Sequence, residues 1–141
     1  MAGDEAPLPV FVYGTLRRDG VNYDAFLRGR TAAEVPARLA GAVLYEGPGY
    51  PFAVTAPAGE IHGELMTLAP AGHAVVLAAL DALEGHRPGD PGNLYERVVR
   101  AVRTERGETV CAWVYVAAER IARRLRAEGV RVPGDEWPHR A

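Results

Sequence analysis

The sequence predicts an α+β domain built on a small mixed, mostly antiparallel β-sheet able to close on itself as a barrel. Three observations carry this expectation. Short runs of β-branched and aromatic residues occupy both halves of the chain, one segment of helical period lies between them, and Gly/Pro clusters separate the runs at hairpin-like spacing. With 141 residues and 48% hydrophobic content there is enough for one core. A single domain over 1–141 is therefore expected, its core at about 9–128 and its tails loose: the first eight residues and the stretch after Val132.

Pro9 to Tyr13 (Pro-Val-Phe-Val-Tyr), stopped by Gly14, reads as a buried strand ending in a tight loop. Thr15 to Val21 is polar and holds the turn pair Asp19-Gly20, after which Asn22 is a candidate cap for a short helix through Leu27. Extended segments follow at Arg38 to Tyr45, Pro51 to Thr55 and Ile61 to Leu68, divided by Gly47-Pro48-Gly49 and Pro57-Ala58-Gly59 and expected to pair antiparallel. From Ala71 to Leu83 the period becomes helical, with Val76, Leu77, Leu80 and Leu83 on one face and Gly85 placed as a terminator. A Gly- and Pro-rich loop from His86 to Gly92 leads to two strands, Tyr95 to Thr104 and Thr109 to Val116, joined as a hairpin across Arg106-Gly107. A last helix is expected from Ala117 to Glu128, and no internal repeat is visible.

Composition narrows the chemistry mainly by what is missing. The chain has no serine and no lysine, which removes a serine nucleophile, a lysine Schiff base and a phosphate-loop lysine. Its four histidines, His62, His73, His86 and His139, lack the i, i+4 or Cys-x-x-Cys spacing that gathers ligands on one metal, so no metal site is expected. The lone cysteine, Cys111, sits among strand formers and is expected to pack as a small hydrophobe. A formal charge of −2 gives no electrostatic footprint for nucleic acid, and Arg120, Arg123, Arg124 and Arg126 read as a solvated helix face. The apolar runs are far shorter than the roughly 20 residues of a membrane span, and the opening residues lack the regions of a secretory signal. A soluble, cytoplasmic, disulfide-free protein is expected.

Two places break local rules, and such breaks are where function tends to lie. Glu84 ends a helix, beside unpaired carbonyls that disfavour a carboxylate, and Asp81 stands three residues earlier on the same face. Those two effects would raise a carboxyl's proton affinity towards that of a general base; the alternative is a solvated helix end. The second place is Tyr13-Gly14-Thr15-Leu16, where a glycine directly after a buried strand lets successive N–H groups converge on an anion; the alternative is an ordinary turn.

Val-Phe-Val-Tyr-Gly-Thr-Leu-Arg at 10 to 17, Gly-Ala-Val-Leu-Tyr at 41 to 45, Ile-His-Gly-Glu-Leu at 61 to 65, Leu-Asp-Ala-Leu-Glu-Gly at 80 to 85, Tyr-Glu-Arg at 95 to 97 and Ala-Trp-Val-Tyr at 112 to 115 occur in this order. Over about residues 10 to 116 the chain thereby resembles γ-glutamylcyclotransferase-like proteins. The resemblance implies a small barrel flanked by helices, no cofactor, and a small-molecule γ-glutamyl substrate. It implies Glu84 as the catalytic acid/base, Tyr13, Gly14, Thr15 and Leu16 as the loop binding the γ-glutamyl group, and Tyr115 as a pocket residue. The implied reaction is attack of the substrate's α-amine on its own γ-carbonyl, releasing an amine and 5-oxoproline. Basic residues after Tyr-Gly-Thr-Leu resemble the γ-glutamylamine or biosynthetic-deprotection branch more than the glutathione enzymes. The departures are His86, where an aromatic residue often follows Glu-Gly, and a long loop from His86 to Leu94 on the leaving-group side. The competing expectations are a non-catalytic binder using the same pocket, and an amidase that would release glutamate.

Overall fold

The structure, a computed structural model, describes residues 7–137. Its elements are β1 (Val10–Val12), α1 (Tyr23–Phe26), β2 (Thr31–Glu46), β3 (Pro51–Leu68), α2 (His73–Glu84), β4 (Tyr95–Thr104), β5 (Thr109–Ala117) and α3 (Glu119–Glu128), followed by a 3₁₀ turn at Pro133–Asp135. The strands form a closed barrel in the order β1-β3-β2-β4-β5. All pairings are antiparallel except one: β1 meets β5 in parallel at Val10 and Trp113, where the Trp113 N–H donates to the Pro9 carbonyl. The expected mixed, mostly antiparallel barrel flanked by helices is what forms.

Val10–Val12 is apolar throughout because it is packed on both faces. Phe11 and Tyr13 join a core drawn from all five strands and no helix, which lies inside the barrel with Leu39, Leu44, Ile61, Val102 and Val114. Val10 and Val12 face the opposite way, into a second core with Met66, Leu68 and the helix residues Val76, Leu80, Ile121 and Ala122. The expected apolar face of α2 is the one that packs there, with Val76 and Leu80 buried and Leu77 and Leu83 partly so.

Gly85 ends α2 as expected. Its φ of 70° lies in the left-handed region, its N–H donates to the Ala82 carbonyl, and the His86 N–H reaches back to Asp81. The paired bonds fix how Glu84, the last helical residue, leaves the helix.

Four local expectations are corrected. Asn22 makes no side-chain cap on α1. Pro57-Ala58-Gly59 does not divide two strands: β3 runs on through it, advancing from Thr55 to Glu60 while its partner advances only from Ala42 to Ala40. The excess is absorbed as a bulge, which breaks the register without ending the strand. Cys111 is exposed on β5, because it alternates with the inward-facing Ala112. The stretch after Val132 is held as far as Trp137, with Val132 buried, Asp135 Oδ1 accepting the Leu44 N–H at 2.9 Å, and Glu136 bridged to His62. Residues 1–6 and 138–141, His139 among them, lie outside the described residues. The arginines of α3 are exposed, as expected of a solvated face.

Candidate active site

β1 delivers the chain from the buried sheet into Tyr13–Leu16, and the Arg17 N–H closes the turn onto the Gly14 carbonyl at 3.0 Å. Gly14 is not in the left-handed region. A Cβ there would lie 2.9 Å from Cγ and Cδ of Pro51, so close approach to Pro51 explains the glycine, where the sequence pointed to an unusual backbone conformation. Among the described residues no protein acceptor takes the N–H of Gly14, Thr15 or Leu16. All three residues line a cavity of about 320 Å³.

Glu84 lies in the same wall. The lining is completed by Val12, Tyr13, Asn22, Tyr50, Pro51, Leu83, Gly85, Leu94, Tyr95 and Tyr115, and Glu84 is its one charged side chain among the described residues. Thus all six expected site residues, Tyr13, Gly14, Thr15, Leu16, Glu84 and Tyr115, come together in one cavity. The Glu84 carboxyl has no hydrogen bond and no ion pair among the described residues, and burial raises its pKa from 4.5 to about 7. An unpartnered carboxylate in a poorly hydrated place costs more to ionise, so its proton is held to higher pH.

Asp81 does not contribute to that shift as the sequence implied. It accepts the Tyr115 hydroxyl at 2.6 Å, and Arg97 Nε stands 2.9 Å from the same oxygen. The Arg97 contact is an ion pair whose angle does not make a hydrogen bond, which leaves Nε buried without an acceptor. The guanidinium also lies 4.1 Å over the Trp113 ring. Asp81 is therefore neutralised in place, and its charge does not crowd Glu84.

Three of the tyrosines lining the cavity, Tyr13, Tyr95 and Tyr115, are wall, with their hydroxyls already committed. Tyr13 donates to the Tyr115 carbonyl and accepts from the Ala53 N–H; Tyr95 donates to the Pro51 carbonyl at 2.7 Å and stacks on Phe52. Burial, and secondarily the charge of Glu84, pushes the Tyr13 phenol well above its ordinary pKa. Burial likewise raises Tyr95 and Tyr115 far up. All three stay neutral and carry no proton traffic near neutral pH.

Asn22, Tyr50, Pro51, Leu83, Leu94 and Tyr95 are lining residues that the sequence did not single out. Tyr50 ends the turn that joins β2 to β3 and Pro51 opens β3, so only the barrel closure carries them to the cavity. The basic residues after Leu16 are absent from the lining: Arg17 is buried against Glu64 instead, with Nε 2.9 Å and Nη2 2.6 Å from Oε2. The loop after Gly85 is tied internally, with buried Asn93 bonded to both backbone groups of Arg87, and it sends only Leu94 to the cavity. His86 is turned away, its Nδ1 lying 3.4 Å from the Tyr95 carbonyl.

Among the described residues no group of three or more His, Cys, Asp or Glu side chains is placed to hold a metal. Nor is any helix among them long and apolar enough to cross a membrane.

A barrel with one unpaired carboxyl and a strand-end turn of free N–H groups in one cavity is the frame of a protein that handles a small molecule. Residues 10–139 match the family described as gamma-glutamyl cyclotransferase, AIG2-like, and the chain belongs to that family. Over 108 residues it is 33% identical to the gamma-L-glutamyl-butirosin B gamma-glutamyl cyclotransferase of Niallia circulans, a match covering 76% of this chain and 65% of that protein. The chain thus spans just under two thirds of that relative's length. A solution structure from Arabidopsis thaliana is similar at 31% identity and a TM-score of 0.61, covering 84% of this chain and 74% of that one. The crystal structure of a mouse AIG2-like protein, at 23% identity and a TM-score of 0.60 over 79% of this chain and 77% of that one, shares the fold.

Proposed function

We propose that this chain is a γ-glutamylcyclotransferase-type enzyme, working without a cofactor, in which Glu84 is the general acid/base. The observation that carries this reading is the meeting of an unpaired carboxyl of pKa about 7 with the free N–H groups of Gly14, Thr15 and Leu16 in one cavity. The substrate's α-ammonium gives a proton to Glu84, and the freed lone pair attacks the γ-carbonyl carbon. Negative charge passes to the carbonyl oxygen. As the intermediate collapses, the C–N bond to the leaving amine breaks and protonated Glu84 gives its proton to that nitrogen. The ring nitrogen, which still carries two hydrogens after its attack, gives one to the regenerated Glu84 carboxylate and from there to the departing amine, so that 5-oxoproline and an ammonium remain. A group of pKa near 7 suits both transfers. The N–H groups steady the carboxylate or the oxyanion, and folding the substrate towards its ring supplies much of the rate.

The lining also bears on the leaving group. With no arginine or histidine in the described wall, an anionic leaving group would be desolvated without a partner, whereas a neutral or cationic amine would not. That supports γ-glutamyl amines over γ-glutamyl peptides. Arg17, the first basic residue after Leu16, is bound to Glu64 and lends no support to that preference. A pure binder of an anionic ligand would gain little from the Glu84 charge.

The test is a panel of γ-glutamyl amines with 5-oxoproline as the readout, each paired with its N-acetyl derivative. Ring closure requires the free amine, so acetylation is expected to abolish turnover. An acetylated substrate cleaved as fast as its parent, with release of the glutamyl acid, would overturn cyclisation in favour of hydrolysis.

A further inference from the structure

Asn22 follows Thr15 by a tight loop and returns to it twice. Its backbone N–H donates to the Thr15 carbonyl at 2.9 Å, and its Nδ2 donates to Thr15 Oγ1, also at 2.9 Å. The loop between them is shaped to allow this: Asp19 takes a φ of 72°, and a Cβ on Gly20 would lie 2.5 Å from the Thr15 carbonyl oxygen. Both Asn22 and Thr15 line the cavity.

A threonine hydroxyl has one hydrogen and two lone pairs. Asn22 occupies a lone pair, so the hydrogen is turned away from Asn22, and no acceptor for it exists among the described residues. Accepting one bond also polarises the O–H that remains. The substrate's α-carboxylate, meanwhile, meets no cation in the described wall and has to be held by neutral donors.

We infer that Asn22 is a positioning residue: it holds the Thr15 hydroxyl with its hydrogen towards the α-carboxylate of the bound substrate. The inference rests on the γ-glutamyl reading above and adds to it the group that selects for the carboxylate. A contact with a carboxylate is made equally in the ground and transition states, so its loss raises KM and leaves kcat in place. A contact with the oxyanion would do the reverse.

The experiment compares Thr15→Val, Asn22→Ala and the double variant on a γ-glutamyl amine and on the 4-aminobutanoyl amide of the same amine. The second substrate can close a ring but has no carboxylate. A hydrogen bond to a charged group is worth a factor of about ten to a hundred, so Thr15→Val is expected to raise KM for the γ-glutamyl amine by about that much. Asn22→Ala should raise it less, kcat should change less than about twofold, and the double variant should match Thr15→Val alone. On the carboxylate-free substrate neither change should matter. Equal losses on both substrates, a fall in kcat at constant KM, or full additivity of the two substitutions would overturn the inference. So would a parent enzyme that forms 5-oxoproline while its variants keep the parent KM, which overturns this inference alone. A parent that forms no 5-oxoproline overturns the functional reading and this one together.

Discussion

Glu64 and Glu84 are two glutamates of one barrel in opposite circumstances. Glu64, on β3 opposite Val12, is 8% exposed and fully engaged. Its Oε2 accepts from Nε and Nη2 of Arg17, and its Oε1 accepts the Arg18 N–H at 3.1 Å. Arg17 in turn donates to the Trp137 carbonyl and to Glu136. Glu84, at the end of α2, has no such partner among the described residues, only the walls of a cavity. Burial alone therefore does not define a carboxylate's role: donors turn it into scaffold, and their lack leaves its proton available for exchange.

The largest effect is expected of Glu84→Gln, which keeps the size of the side chain and removes its proton exchange. Turnover should fall by a factor of about 10² to 10⁴, roughly 3 to 5 kcal/mol of barrier, with substrate binding retained. The melting temperature should stay or rise, as expected when a strained functional residue is relieved. A folded Glu84→Gln enzyme with full turnover would end the assignment.

Arg17→Met should do the opposite. Removing one member of a buried ion pair leaves the other charge stranded, at a cost of about 3 to 5 kcal/mol in unfolding free energy. Denaturant titration reads this directly, and an Arg17→Met protein as stable as its parent would show that the Glu64 cluster is not scaffold.

The pH dependence follows from Glu84, whose folded pKa of about 7 lies above the 4.5 of an ordinary glutamate. The folded state holds that proton more tightly than the unfolded one, so the stability it confers is complete below about pH 4.5 and is lost as pH rises through 7. Relative to Glu84→Gln, the parent should therefore lose up to about 3 kcal/mol across that window and run parallel above it. Over the same window kcat/KM should rise with a midpoint near 7. Stability and activity moving in the same direction would sink the assignment of that proton to Glu84.

A smaller effect is expected of Gly14→Val. Its added carbons meet Pro51, and overpacking of this kind costs about 1 to 3 kcal/mol. Because the displaced segment is the loop itself, KM should rise more than stability falls. Unchanged kinetics in a folded variant would reduce Tyr13–Leu16 to a turn.

Features set by neighbours in sequence were the legible ones. The bounds of β4 and the end of α2 follow from local punctuation, as Gly107 and Gly85 take the positive φ that only glycine adopts freely. The gathering of Glu84 with Tyr13–Leu16 was legible only through the ordered motifs of the family, since no local rule brings a helix end to a distant strand end. Features decided by remote contacts were not legible. In sequence Asp81 is a repelling neighbour of Glu84, because its partners, Arg97 and Tyr115, lie on strands far along the chain. Pro57-Ala58-Gly59 carries turn composition, yet pairing on both sides of it outweighs local preference. Asn22 has the composition of a cap and spends its amide on Thr15.

The loop from Tyr13 to Leu16 is fastened at both ends, by buried β1 before it and by the buried Arg17–Glu64 pair after it. Fixing a free backbone costs about 1 to 2 kcal/mol of conformational entropy per residue. Here that ordering was completed when the chain folded, so an arriving ligand meets donors already in position and keeps most of the interaction energy as affinity. Thermodynamically, the loop proposed to hold the substrate belongs to the barrel, and its readiness is a property of the folded ground state.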